Sequence, residues 1–352
     1  EHRKNVPYKK GNGYKPFARE IDFLEPRMPK SGVFPSTSLW DEWKKINKYK
    51  NSNSNWSPLG PFDVPIIVSN NKKRGNGRIN CIEFDPSDPD IFWVGSPGGG
   101  LWKTVDGGMS WSTNTDNLPV LGVSDILINP LNKQIMYIAT GDADGGDTYS
   151  IGVLKSVDGG ITWDTTGLSY AINQEIEISK LEMNPNFPDS IFAVTENNIF
   201  VTADGGNVWN AVGPSGRWRD IHYHPENTNI LYAAKQTVGT STIYRSLDGG
   251  ASWQISDNGI ANNGKRRPAI AVTPANGQVV YALFSDGSWG YHGLYKSSDG
   301  GDSWSLQSNS PNILESFIVK SILSSFKTIQ DELSILFESK LNEILLPLVT
   351  LI

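Results

Sequence analysis

Two stretches of the chain gather side chains that could do chemistry. In Thr140-Gly-Asp142-Ala-Asp144-Gly-Gly-Asp147-Thr-Tyr149-Ser150, three carboxylates are separated by small residues. Ca²⁺ takes oxygen ligands from pliant loops of this kind, although the distal Glu of a full EF-hand loop is missing. Asp142, Asp144 and Asp147 are therefore candidate calcium ligands, with a solvated Gly/Asp turn as the alternative. In Ser285-Asp286-Gly-Ser-Trp289-Gly-Tyr291-His292-Gly293, two aromatic rings alternate with glycine beside a carboxylate and an imidazole. Trp289 and Tyr291 could offer a flat stacking surface to a sugar or a peptide, or pack against neighbouring loops. His222 and His224 read as strand and turn residues rather than as a metal pair. The single cysteine, Cys81, permits no internal disulfide and no thiolate cluster. Lying in Ile79-Asn80-Cys81-Ile82, it reads as a small core residue rather than a nucleophile.

A third set of acidic residues is repetitive. The pattern Ser/Thr-x-Asp-x-Gly-x-x-Trp occurs at Thr104–Trp111, Ser156–Trp163, Thr202–Trp209, Ser246–Trp253 and Ser297–Trp304. Its aspartates are Asp106, Asp158, Asp204, Asp248 and Asp299, spaced 52, 46, 44 and 51 residues apart. Five copies of one carboxylate on five units cannot converge on one substrate. They read instead as turn staples: the Asp accepts backbone N–H groups, the glycines take positive φ, and Trp111, Trp163, Trp209, Trp253 or Trp304 shields the turn.

The elements that must carry these residues follow from the same repeat. Upstream of each box lies an alternating run ending at Pro86, Pro130, Pro185, Pro225 or Pro274, apolar four and two residues before the proline. That period of two marks a strand with one buried face. Seven residues after each proline stands an aromatic: Trp93, Tyr137, Phe192, Tyr232 or Tyr281. A third apolar run enters the box and the box Trp opens a fourth. Four short strands in about 45–50 residues is one propeller blade. The expected fold is all-β, a β-propeller of four-stranded blades with blades at 78–116, 123–168, 178–213, 218–257 and 268–309.

The boxes resemble the Asp-box (BNR) repeats of sialidases, sortilin-like propellers and xyloglucan-cleaving propellers. The stretch from Lys10-Gly-Asn-Gly-Tyr-Lys-Pro-Phe17 to Glu25-Pro-Arg27 is similar to the lead-in of large secreted bacterial sortilin-like proteins. The resemblance implies a secreted or cell-surface protein, with ligands on the face opposite the boxes. A sialidase would carry an early Arg-Ile-Pro, but Phe62-Asp-Val-Pro65 stands here, and Arg78, Arg217, Arg219, Arg245, Arg266 and Arg267 lack matching context. In the xyloglucan-cleaving relatives a catalytic Asp precedes a Gly-Gly in the first blade; here Pro97 occupies that place. A glycosidase needs two carboxyls, roughly 5–9.5 Å apart. The expectation is therefore a non-enzymatic propeller binding a protein, peptide or polysaccharide. The alternative is a glycoside hydrolase, xyloglucanase-like rather than sialidase-like. Candidate binding residues are Asp142, Asp144, Asp147, Tyr149, Asp286, Trp289, Tyr291 and His292, catalytic residues are none, and calcium is the one cofactor considered. Lys72-Lys-Arg74, Arg217/Arg219 and Lys265-Arg-Arg267 in the inter-blade loops suit a protein contact or simple solvation.

Composition agrees with this class. The 352 residues carry a formal charge of -6, which argues against nucleic acid as the main partner. No run of 18 apolar residues occurs, so no membrane span is expected. The chain opens on Glu1 without a charged-then-apolar leader and reads as a mature product or a fragment. Three segments are expected. Residues 1–54 form an extended lead-in, with a short helix at Ser38–Lys48 capped by Ser38. Residues 55–311 form the propeller, and 312–352 a helical tail. Asn55-Trp56-Ser-Pro-Leu-Gly60 resembles a fourth strand awaiting its blade. The tail has no Gly and no Trp from 313 onward. It is either a helical cap or a departure of the reading frame near Asn312, in which case five blades belong to a ring of six to ten.

Overall fold

The computed structural model describes residues 39–47, 78–143, 148–171 and 174–312. The Ser38 cap, the Trp56 strand, Asp144, Asp147 and the tail from 313 onward lie outside the described residues.

Five antiparallel four-stranded sheets follow one another, each strand pairing with the next in sequence. Blade 1 holds β1 (Cys81–Asp85), β2 (Asp88–Ser96), β3 (Gly100–Thr104) and β4 (Ser112–Thr113). Blade 2 holds β5 (Val123–Ile128), β6 (Met136–Thr140), β7 (Gly152–Ser156) and β8 (Asp164–Ser169). Blade 3 holds β9 (Ile178–Met183), β10 (Ile191–Thr195), β11 (Ile199–Thr202) and β12 (Asn210–Val212). Blade 4 holds β13 (Arg217–His224), β14 (Asn227–Gln236), β15 (Thr242–Ser246) and β16 (Gln254–Ile255). Blade 5 holds β17 (Arg266–Val272), β18 (Val280–Ser285), β19 (Tyr291–Ser297) and β20 (Ser305–Ser308). The expected propeller is the observed fold.

The first strand of each blade is innermost and packs on its successor, β1 on β5, β5 on β9, β9 on β13 and β13 on β17. An innermost strand has one edge without a ladder partner, and those N–H groups need acceptors. Acidic side chains of the preceding blade supply them. Asp125 accepts from Leu181 N at 2.8 Å, Glu182 from Tyr223 N at 3.2 Å, and Asp220 from Ile270 N at 2.8 Å.

Apolar cores fill the seams between blades rather than the blades themselves. Trp93 and Leu101 meet Ile126 and Leu154 between blades 1 and 2. Tyr137 and Val153 meet Leu181 and Ile191 between blades 2 and 3. Phe192 meets Trp218 and Ile221 at the next seam, and Tyr232 and Ile243 meet Ile270 and Val280 at the fourth. A twisted sheet buries both faces this way, each blade serving as cover for its neighbours. Cys81 belongs to the first of these cores, where burial pushes its thiol well above the ordinary value and suppresses the thiolate.

The expected helix forms as α1 (Leu39–Asn47), with Asp41 and Glu42 in its first turn and Lys44 and Lys45 in its last. That placement complements the helix dipole. Trp40 is buried in the core shared by blades 1 and 2 and stacks on Trp43 with 4.9 Å between ring centroids. The Trp43 indole N–H donates to the Asn117 carbonyl. The helix α1 is thus anchored to the propeller. Among the described residues no helix is long and apolar enough to cross a membrane.

Candidate functional site

The five boxes have one geometry. The Ser or Thr hydroxyl donates to its Asp carboxylate at 2.7–2.8 Å and accepts the N–H of the second glycine at 2.8–3.0 Å. The carboxylate accepts the N–H of the fourth residue on, and in four boxes also that residue's hydroxyl, from Ser110, Thr162, Ser252 and Ser303. These hydroxyls, then the backbone N–H groups, hold Asp106, Asp158, Asp248 and Asp299 down to about 2. Val208 has no hydroxyl, and Asp204 is lowered chiefly by its backbone bond from Val208. Both box glycines take positive φ in every copy, which a side chain would strain. Trp111, Trp209 and Trp253 donate to the carbonyl of the second glycine at 3.0–3.1 Å. Trp304 donates to Ser256 instead at 2.8 Å, and Trp163 Nε1 has no acceptor among the described residues.

Among the described residues, a tyrosine and a cation of the preceding blade together grip the boxes of blades 3 and 5. Tyr137 and its cross-strand partner Lys155 both donate to the Gly205 carbonyl, at 3.0 and 2.9 Å. Tyr232 and its partner Arg245 both donate to the Gly300 carbonyl, at 3.0 and 2.5 Å. The aromatic seven residues after each proline was legible as a repeat, but its hydrogen bond to the next blade's box was not.

The opposite end of the propeller carries the loops between second and third strands and between blades. Here charged residues close on the axis. Asp142 is completely buried and its carboxylate engages Arg78. Arg217 pairs with Glu177 at 2.5 Å, and Arg219 lies 3.8 Å from the same carboxylate. Arg219 also donates to Gln236 Oε1 at 2.6 Å and to the Ala143 carbonyl, tying blade 4 to the blade 2 loop. Burial lowers Arg219 to about 10, and Arg267, with Asp142 and Arg78 nearby, falls to about 10 for the same reason. Burial raises Glu177, offset by Arg217 and Arg219. Of the arginines that lacked sequence context, Arg78, Arg217, Arg219 and Arg267 are thus gathered at this end, whereas Arg245 grips the blade 5 box at the other.

The candidate binding residues separate accordingly. Asp142 is a buried member of an ion pair with Arg78. The expectation that it heads a calcium loop meets a carboxylate already compensated by a guanidinium. Among the described residues no three His, Cys, Asp or Glu side chains converge as a metal site. His222 pairs with Asp220 at 3.2 Å, and His224 Nδ1 accepts the Glu226 N–H at 3.1 Å. Tyr291, expected beside Trp289 as a stacking ring, is buried in blade 5, where its hydroxyl donates to Ser308 O at 2.7 Å. Asp286 accepts the Ser288 and Gly290 N–H groups, each at 2.8 Å, and so shapes its own turn. His292 Nε2 lies 2.9 Å from Asn263 O, and burial lowers its pKa. Tyr149 and Trp289 remain exposed, at 42% and 43%. Trp289 has φ 69°, rare for a bulky residue, and the Arg266 guanidinium sits 5.2 Å from its ring centroid. On the box side, a cleft of about 530 Å³ opens between the inner-strand ends of blades 1–3, lined in part by Phe84, Leu127 and Met183.

No family model matches the chain. A xyloglucanase of Paenibacillus sp is 23% identical over 289 residues, covering 72% of this chain and 27% of the relative. A xyloglucanase of Hypocrea jecorina is 22% identical, covering 62% of this chain and 30% of the relative. The chain thus spans less than a third of these curated relatives. The crystal structure of an ancestral GH74 enzyme superposes with a TM-score of 0.55 at 20% identity, covering 65% of this chain and 31% of that one. The GH74 enzyme of Niastella koreensis gives 0.51 at 17% identity, covering 65% and 38%. At these identities the structural likeness shows the propeller fold.

Proposed function

We propose that this chain is part of an extracellular propeller of the Asp-box type that acts on a polysaccharide of the xyloglucan kind, held across the loop face. The single observation that carries the reading is the similarity to xyloglucanases over 72% of the chain. The exposed rings of Trp289 and Tyr149 on that face support it, because flat apolar surface is what a sugar ring stacks upon. The glycoside hydrolase reading is favoured here over the protein or peptide binder because the curated relatives above are xyloglucanases. Sortilin-like membership rests on the resemblance of the boxes and of the lead-in.

A second reading, binding of the polysaccharide without turnover, is favoured by the state of the described loop-face carboxylates. Asp142 is held by Arg78, Glu177 by Arg217, and Asp286 by its own turn. Incubation with xyloglucan separates the two. New reducing ends together with retardation in a xyloglucan gel support hydrolysis. Retardation alone supports the second reading, and neither effect overturns both.

A further inference from the structure

One arginine of the loop end has no carboxylate to answer it. In the run Lys265-Arg266-Arg267, Lys265 Nζ lies 3.9 Å from Asp257 Oδ2, and Arg267 has Asp142 nearby. Arg78 meets Asp142, Arg217 and Arg219 meet Glu177, and Arg245 meets Asp302. Arg266 makes no ion pair and no side-chain hydrogen bond among the described residues. What it meets is the exposed ring of Trp289, with the guanidinium carbon 5.2 Å from the centroid. An indole ring stabilises the charge but offers no lone pair to the N–H fork.

The ring itself is held there against a cost. Trp289 has φ 69°, which a bulky residue adopts only under constraint. The constraint is its turn. Asp286 Oδ1 accepts the Ser288 and Gly290 N–H groups at 2.8 Å, Asp286 N donates to Gly290 O at 2.7 Å, and Trp289 N donates to Asp286 O at 3.1 Å. Backbone strain maintained in this way is concentrated at ligand-contacting positions. The turn follows the end of β18 at Ser285, and Arg266 opens β17, so the pair stands at the loop end of blade 5. Neighbouring blades cover one another's sheet faces, as the seam cores do here, rather than their loop ends.

We propose that Arg266 and Trp289 form a subsite for a sugar carrying a carboxylate, a uronic acid unit of the bound polysaccharide. The pyranose ring stacks on the open part of the indole, and the carboxylate takes the guanidinium fork, a planar pairing that an ammonium does not reproduce. The subsite rests on the polysaccharide reading above and specifies an acidic substituent on that polymer.

The probe is a xyloglucan oligosaccharide oxidised at its primary hydroxyls, which become carboxylates while the backbone linkages stay intact. Titration calorimetry on the full chain compares it with the neutral oligosaccharide. The oxidised form should bind about tenfold more tightly at low salt, the scale of a hydrogen bond to a charged group. That preference should shrink in about 0.5 M NaCl, because an exposed ion pair is screened. Arg266→Gln should bring the two affinities together with an unchanged β-type circular dichroism spectrum, and Arg266→Lys should keep only part of the preference. Equal or weaker binding of the oxidised form, a preference indifferent to salt, or one that survives Arg266→Gln overturns the proposal and leaves the polysaccharide reading standing. Binding of neither form overturns both.

Discussion

Tyr137 donates a 3.0 Å hydrogen bond to the carbonyl of Gly205, 68 residues further along the chain, and Tyr232 repeats it to Gly300 at the same separation. The box of one blade is thus completed by side chains of the blade before it. Burial raises both phenols, Tyr232 to about 12, so each stays a donor at ordinary pH.

Tyr137→Phe removes that donor while Lys155 still reaches the carbonyl at 2.9 Å. The expected loss is about 0.5–1.5 kcal/mol, the net value of one hydrogen bond. Urea unfolding of the single and Lys155→Met double variants reads it. Additive effects of the two substitutions would contradict a shared grip on one carbonyl.

The depressed box aspartates tie stability to acid. Their folded values near 2 lie below the unfolded value of about 3.9. The charged form is therefore favoured by folding, its contribution complete above about pH 4 and lost as pH falls through 2. Asp158→Asn should lower the melting temperature at pH 6, and the gap to the parent should close by pH 2. A gap that is constant across that range would remove the carboxylate from the explanation. Because these side chains face solvent, added salt should narrow the gap.

Asp142→Ala strips the buried partner from Arg78 and leaves Arg267 beside it less compensated. Breaking a buried ion pair costs about 3–5 kcal/mol, and the lower end applies because the Arg78 side chain is 27% exposed. With the carboxylate so engaged, millimolar Ca²⁺ is expected to leave the melting temperature unchanged. A calorimetric rise with Ca²⁺ that Asp144→Asn abolishes would contradict this and support the calcium loop.

Trp289→Gly relieves a positive φ of 69° and deletes an exposed ring. The melting temperature should hold or rise, while affinity for a xyloglucan oligosaccharide falls roughly five- to thirtyfold, the scale of an anchoring aromatic. Unchanged affinity by titration calorimetry would take the loop-face ring out of the proposed function.

The sequence by itself determined the blades. Alternation before each proline, the aromatic seven residues on and the box Trp are local patterns, and each constrains strand, face and turn without any distant partner. A short helix at Ser38–Lys48 was legible for the same reason, from its capping serine, and it forms at Leu39–Asn47. Tertiary structure alone decided the traffic between blades. Arg78 and Asp142, or Arg217 and Glu177, meet because the inner strands begin around one axis, and neither spacing nor residue type encodes that convergence. Tyr291 and Trp289, two residues apart, looked equivalent, yet one is buried with its hydroxyl satisfied and the other stands in solvent. Which side chain a loop turns inward depends on the space its neighbours leave, and that is a property of the assembled blades.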